Sequence, residues 1–297
     1  MEKETKQMLI VCGTIITVFL VLLGCVYAYS GVNPPFSTVN SSSMQHSDES
    51  TIGTIDTGDM VIVKDPEDYD ITTYVEGAKK DYSKFGEYGD VIIYRTSTNN
   101  IIHRAMLKVT LEDIEIDEIN PAVTKSQKWY IPSLIDYEDW DLFKMSGTTK
   151  HSVKNDGTIW NEDLGMLTLA AEHKEVYLEL NNVGYSDATI FIKLWYIGTD
   201  HGAGYSGYLT KGDNAETNAS FDQNILSQVR NELVTEDMIK SVAAVEIPWL
   251  GCIKLYVNGT NTDQIPTNSV INLVIIFVAI IAFAFLLNFL LTRKKSE

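Results

Sequence analysis

Hydrophobic and polar positions divide the chain into three kinds of stretch. Met8–Tyr29 and Val270–Leu291 each run 22 residues without a charged side chain, long enough for a helix to cross the apolar core of a bilayer. A soluble core helix of that length nearly always carries a charge on some face, so both stretches are predicted to be membrane spans. Between them, Met60–Lys64, Val91–Arg95, Ile101–Val109, Thr189–Ile197, Tyr208–Lys211 and Val242–Val257 are rich in β-branched and aromatic residues and bounded by Gly, Asp or Asn. These are predicted strands. Asn224–Leu233 and Thr235–Ile239 have helical spacing but are short. The third kind, about Thr110 to Ala188, mixes acidic, aromatic and turn residues without a long period and is expected to be an inserted subdomain.

The expected fold is therefore a mostly β ectodomain with an inserted subdomain, flanked by N- and C-terminal transmembrane helices. Residues 1–29 form a tail and first span, 30–110 and 189–257 the two parts of the core, and 111–188 the insertion. Residues 258–269 are a polar linker, and 270–297 hold the second span with a basic tail.

Charge then orients the chain. Arg293, Lys294 and Lys295 follow the second span, while Asn258–Ser269 before it holds no Lys or Arg, which places the C-terminus in the cytoplasm. Two crossings bring the N-terminus to the same side, although Lys3 and Lys6 there are balanced by Glu2 and Glu4. The chain has 40 acidic and 23 basic residues, a net charge of −17, and the excess of acid belongs to residues 30–268. No broad basic surface is available for a phosphate backbone, so nucleic acid is not an expected partner. A cleaved signal peptide is the alternative for the first run, and Leu22-Leu23-Gly24-Cys25 loosely resembles a lipoprotein cleavage box. The length of the run and the lack of a net positive tail favour a retained anchor. Cys12 and Cys25 lie in the first span, and Cys252 is the only other thiol, so no disulfide framework is expected. Three glycosylation sequons, at Asn40, Asn218 and Asn258, are compatible with export.

The chemistry-bearing boxes follow in order. Ser41-Ser42-Ser43-Met44 comes about a dozen residues after the first span. Thr57-Gly58-Asp59-Met60, Gly89-Asp90-Val91-Ile92-Ile93-Tyr94, Ile102-His103-Arg104 and Tyr208-Leu209-Thr210-Lys211-Gly212-Asp213-Asn214 succeed it. That order resembles type I signal peptidases, specifically the archaeal and endoplasmic-reticulum branch, in which His replaces the Lys base of the bacterial branch. The resemblance covers roughly residues 8–110 and 206–256; the insertion and the second span lie outside it. It implies that Ser43 is the nucleophile, that Ser41 helps form the oxyanion hole, and that His103 is the general base. It also implies an acid partner for His103, for which Asp222 and Asp213 compete. The family's second Asp usually falls six residues after the first, but here that position is Ala219 and the next acid is Asp222, so Asn218-Ala219-Ser220 is expected to bulge.

The roles are chemically coherent without the family. A hydroxyl becomes a useful nucleophile once a neighbouring base takes its proton, and neutral imidazole does so near pH 7. Donors aimed at the developing oxyanion are worth roughly 2.7–4 kcal/mol each, and the Ser41 hydroxyl and the Ser43 N–H are the candidates. His46, three residues after Ser43, is the alternative base, ahead of His151, His173 and His201. Gly58-Asp59 and Gly89-Asp90 are read as structural turns.

Gly202-Ala203-Gly204-Tyr205-Ser206-Gly207 matches the dinucleotide-binding pattern, but a strand-like run follows it where a helix is required, so no cofactor is expected. No ligand spacing suggests a metal. Trp249 is assigned either to a lipid interface or to the core. The resemblance implies a membrane-bound serine endopeptidase that removes signal peptides after small residues at the first and third positions before the cut. Its expected partners are exported preproteins, the lipid bilayer and the translocation channel. A specialised surface-protein peptidase and an inactive signal-sequence binder are the alternatives. The His-type motif and the acidic ectodomain fit an archaeal cell membrane.

Overall fold

A computed structural model describes residues 3–135, 143–145 and 159–293. Helix α1 spans Lys3–Ser30, and the strands that follow it are β1 (Phe36–Thr38) and β2 (Met60–Lys64). After helix α2 (Tyr74–Lys80) come β3 (Ser83–Lys84), β4 (Glu87–Tyr88), β5 (Val91–Arg95), β6 (Asn100–Ile116), β7 (Thr124–Tyr130) and β8 (Phe143–Met145). They are succeeded by β9 (Trp160–Asn161), β10 (Met166–Ala170), β11 (Val176–Val183) and β12 (Ala188–Ile192). Helix α3 (Leu194–Gly198), β13 (Tyr205–Lys211), helix α4 (Asp222–Ile225), β14 (Ile239–Ile247), and helices α5 (Cys252–Asn258) and α6 (Thr267–Arg293) complete the order.

The chain is mostly sheet between two apolar helices. Leu9–Ser30 and Thr267–Leu286 are long and apolar enough to cross a membrane, and most of their large apolar side chains face outward instead of filling a core. Most of the remaining strands join one antiparallel sheet in the order β1-β2-β14-β5-β6-β7-β10-β9. The 17-residue β6 is its axis: residues 100–104 pair β5, residues 104–111 pair β13 and residues 110–116 pair β7. Three buried clusters stabilise this sheet. One holds Val39, Met44, Val61, Val63 and Ile93, another Ile92, Tyr94, Ala105 and Tyr208, and the largest surrounds Trp129 and Leu107.

The expected boundary between residues 110 and 111 falls inside β6. The start of the presumed insertion is a continuation of the main sheet through β7, β10 and β9, because Leu111, Trp129, Leu167 and Leu169 join the same core as Leu107 and Val109. Among the described residues of 111–188, β8 and β11 form a separate sheet with β12.

Two expected strands are too long. Thr189–Ile197 is strand only to Ile192; Leu194-Trp195-Tyr196-Ile197 turns into α3, which buries Leu194, Trp195 and Ile197. A short apolar run reads alike as strand or buried helix, and tertiary packing decided. Val242–Val257 ends as strand at Ile247, because Pro248 removes a ladder donor and Trp249 takes a positive φ of 63°. The chain then coils into α5 with Cys252 and Leu255 on one buried face. Asn224–Leu233 is helical only at its start, in α4, and Thr235–Ile239 contains a single 3₁₀ turn, Glu236–Met238. Trp249 is a core residue: it packs with Cys252, Leu255 and Ile265, and its Nε1–H donates to Ser50 Oγ at 2.9 Å.

Candidate active site

Ser43 sits in a single 3₁₀ turn, Ser42–Met44, whose last residue is the anchor. Met44 is fully buried among Val39, Ile55, Val61 and Val63, so burial of one thioether side chain fixes the hydroxyl beside it. Ser41 lies just before the turn, and its Oγ is 3.3 Å from Ser43 Oγ.

His103 stands on β6 opposite Ile92 of β5. Side chains alternate across a strand, so Tyr94, two residues beyond Ile92, shares that face. Asp222 opens α4, and its Oδ2 meets both neighbours: His103 Nδ1 lies at 2.7 Å and the Tyr94 hydroxyl donates at 2.9 Å. A carboxylate accepts only, so His103 carries its proton on Nδ1 and leaves the Nε2 lone pair for chemistry. All three side chains are buried. Asp222 Oδ1 has no hydrogen-bond partner. Burial pushes the Tyr94 phenol far above its ordinary value, and the Asp222 charge adds to the shift, so Tyr94 remains a donor throughout the physiological range.

Ser41, Ser43 and His103 line one cleft of about 760 Å³. Phe36–Thr38 of β1 forms one of its walls, and Asn261 and Lys254 also border it. No hydrogen bond joins Ser43 to His103; catalytic hydrogen bonds are often long before substrate binds.

Asp213 is placed elsewhere. Its carboxylate clasps the Arg104 guanidinium through Nε at 2.8 Å and Nη2 at 2.5 Å. Burial alone would raise the Asp213 pKa, but the charge and hydrogen bonds of Arg104 outweigh it and hold the group well below the usual carboxylate range. Arg104 is itself buried and donates to the carbonyls of Lys84, Tyr88 and Gly89. His46 belongs to this group: it stacks on Tyr185 with ring centroids 4.7 Å apart, and its Nε2 lies 3.4 Å from Asp213. His173 accepts a backbone N–H from Ala170, His201 stacks on Tyr205, and His151 lies outside the described residues.

The loop between the two acids turns earlier than expected. Asn214 Oδ1 accepts the N–H groups of Glu216 and Thr217, and the Asn218 N–H closes onto the Asn214 carbonyl. Phe221, fully buried, then delivers Asp222 to His103. Asn214 also reaches the Ser43 segment, its N–H donating to the Ser43 carbonyl at 2.9 Å and its Nδ2 to the Ser42 carbonyl at 2.8 Å.

No protein-family model, curated protein or solved structure matches the chain. The site therefore stands on its own geometry. Sequence reasoning assigned no role to Tyr94, Arg104 or Asn214. Tyr94 and Asn214 lie within quoted boxes and Arg104 follows His103, but only the register of β5 against β6 and the path of the 214–221 loop show what they touch. Of the three sequons, Asn40 is at the cleft, Asn218 is buried and Asn258 is exposed. The Gly202–Gly207 motif forms neither a nucleotide-binding turn nor a hairpin: it follows α3, and its last three residues open β13, which pairs β6. Among the described residues no cluster of His, Cys, Asp or Glu has the geometry to hold a metal ion.

Proposed function

We propose that this chain is a membrane-anchored serine endopeptidase of the signal peptidase I type. The reading rests on the resemblance of its boxes to that family, and one observation carries it: His103, oriented by Asp222 at 2.7 Å, borders the same cleft as Ser41 and Ser43. In this reading His103 Nε2 takes the Ser43 proton as Oγ attacks the scissile carbonyl. Asp222 stabilises the resulting imidazolium, and His103 then returns the proton to the leaving amine. The Ser43 N–H and Ser41 Oγ–H donate to the tetrahedral oxyanion, and water releases the acyl group by the same route in reverse. The substrate is the signal peptide of an exported preprotein, lying extended beside β1 with small residues at the first and third positions before the cut.

The two apolar helices cross the cell membrane, with both termini cytoplasmic and the sheet outside, because the basic residues follow the second helix. Cleavage then takes place where a preprotein leaves the translocation channel. The test is turnover of a generic preprotein by the full chain purified in detergent, with Ser43→Ala as control. Cleavage that Ser43→Ala abolishes supports the reading. Binding of the preprotein without cleavage points to an inactive signal-sequence binder, and cleavage restricted to a few surface proteins to a specialised peptidase.

A further inference from the structure

The segment that joins α5 to α6 touches the nucleophile loop across more than 200 residues of sequence. Asn261 Nδ2 donates to the Asn40 carbonyl at 2.6 Å. The Ser42 N–H donates to Gln264 Oε1 at 3.2 Å. Asn268, in the first turn of α6, grips both polar groups of the Ser50 backbone, accepting its N–H at 2.9 Å and donating to its carbonyl at 2.8 Å. Ile265 anchors the segment between these contacts, buried with Trp249, Cys252 and Leu255, and Val270 and Leu273 of α6 pack on the same cluster.

The first N–H groups of a helical turn have no partner within it, and a serine at the N-cap normally supplies one through its hydroxyl. Ser41 is the N-cap of the Ser42–Met44 turn, yet its side chain makes no capping bond. Gln264 takes the Ser42 N–H, the first donor of the turn and one that an N-cap hydroxyl does not reach, and the Ser41 hydroxyl is turned toward Ser43 Oγ. The other side of the turn is held by Asn214, which takes the Ser42 carbonyl. That carbonyl and the Ser43 N–H belong to one trans peptide and point in opposite directions, so gripping the oxygen aims the N–H.

We propose that Gln264 is a positioning residue of the active site, and that the segment Asn261–Asn268 makes α6 part of the catalytic unit as well as an anchor. By holding the Ser42 N–H while Asn214 holds the Ser42 carbonyl, it fixes the residue whose peptide aims the Ser43 N–H. This rests on the peptidase reading above. Gln264 is exposed, so its replacement does not threaten the fold.

The experiment compares Gln264→Leu, which removes the acceptor, with Gln264→Glu, which keeps one, in the full-length chain in detergent. The expected result for Gln264→Leu is a fall of about tenfold in kcat with KM unchanged, a fraction of the 10²–10³ that removal of a whole oxyanion donor costs. Gln264→Glu is expected to stay within about twofold of wild type. Backbone amide exchange over residues 40–46 should quicken in Gln264→Leu and not in Gln264→Glu. Wild-type kcat in Gln264→Leu, equal losses in both variants, or unchanged amide exchange would overturn the proposal. If the wild-type chain cleaves nothing, the peptidase reading fails by itself, and the exchange measurement alone decides whether Gln264 caps the turn.

Discussion

Asp222 and Asp213 are chemically identical, yet the structure assigns them opposite consequences on conversion to Asn. Asp213→Asn leaves the Arg104 guanidinium, 1% exposed, without its counter-charge. Breaking a buried pair by removing one partner costs roughly 3–5 kcal/mol. The carbonyls of Lys84, Tyr88 and Gly89 still receive Nη1, which favours the lower end of that range. For a unit of this size about 3 kcal/mol lowers the melting temperature by roughly 6–12 °C. Asp222→Asn removes a buried charge whose second oxygen has no partner, so the lost hydrogen-bond strength is offset by relief from desolvation and the melting temperature changes little. Its amide has two ways to sit. With the oxygen toward His103, the hydrogen bond is kept and the charge is lost; with the NH₂ toward His103, the imidazole is forced into the wrong tautomer. Both orientations leave the imidazolium without its negative partner, and cleavage is expected to fall by up to ~10⁴. Single-turnover cleavage of a preprotein and thermal melting by circular dichroism read the two effects separately. An active, normally stable Asp222→Asn protein beside an inactive, normally stable Asp213→Asn protein would refute the assignment.

Ser43→Ala and His103→Ala are each expected to abolish processing, and the double variant to be no worse than either, because the two groups act as one unit; residual rates in the same cleavage assay check this. Tyr94→Phe keeps the ring in its core and removes one donor from the Asp222 carboxylate. The expected loss of stability is about 1.5–3 kcal/mol by denaturant unfolding, with a smaller fall in rate than Asp222→Asn gives. Met44→Ala should cost about 2–5 kcal/mol, since the side chain is wholly enclosed, and should lower activity through the neighbouring Ser43 even at temperatures where the sheet stays folded. Burial raises Asp59 and Glu246 to about 7, so the folded chain holds these protons after the unfolded chain, titrating near 4, has released them. Their contribution is fully present below pH 4 and is lost as pH rises toward 7. Glu246→Gln should therefore raise the melting temperature at pH 8 and leave it nearly unchanged at pH 4; equal shifts at both values would refute this. Asp213, held low, contributes with the opposite sign and is lost only as pH falls below about 4.

Much of this molecule is local. Two uncharged runs of helix-spanning length, strands with the bounds Met60–Lys64 and Val91–Arg95, and the order of the Ser, His and Asp boxes are all properties of neighbouring residues, and such properties survive without a fold. The places where reading by pattern went astray are those where the pattern is shared by two structures. Leu194–Ile197 and Cys252–Val257 are apolar runs that suit strand or helix until something covers them. The continuity of Thr110 with Leu111 was hidden because β6 is longer than the usual strand and changes partners along its length, from β5 and β13 to β7.

At the site, sequence alone determined which residue types could do the chemistry: a serine pair, one histidine after a strand start, and two acids nine positions apart. It had no means to choose between those acids, because the choice depends on what lies opposite each in space. Tertiary structure made it by extending His103 and Arg104 within one strand, β6, and bringing one acid to each. Adjacent side chains point to opposite faces, so Arg104 draws Asp213 to one side of β6 and His103 receives Asp222 on the other.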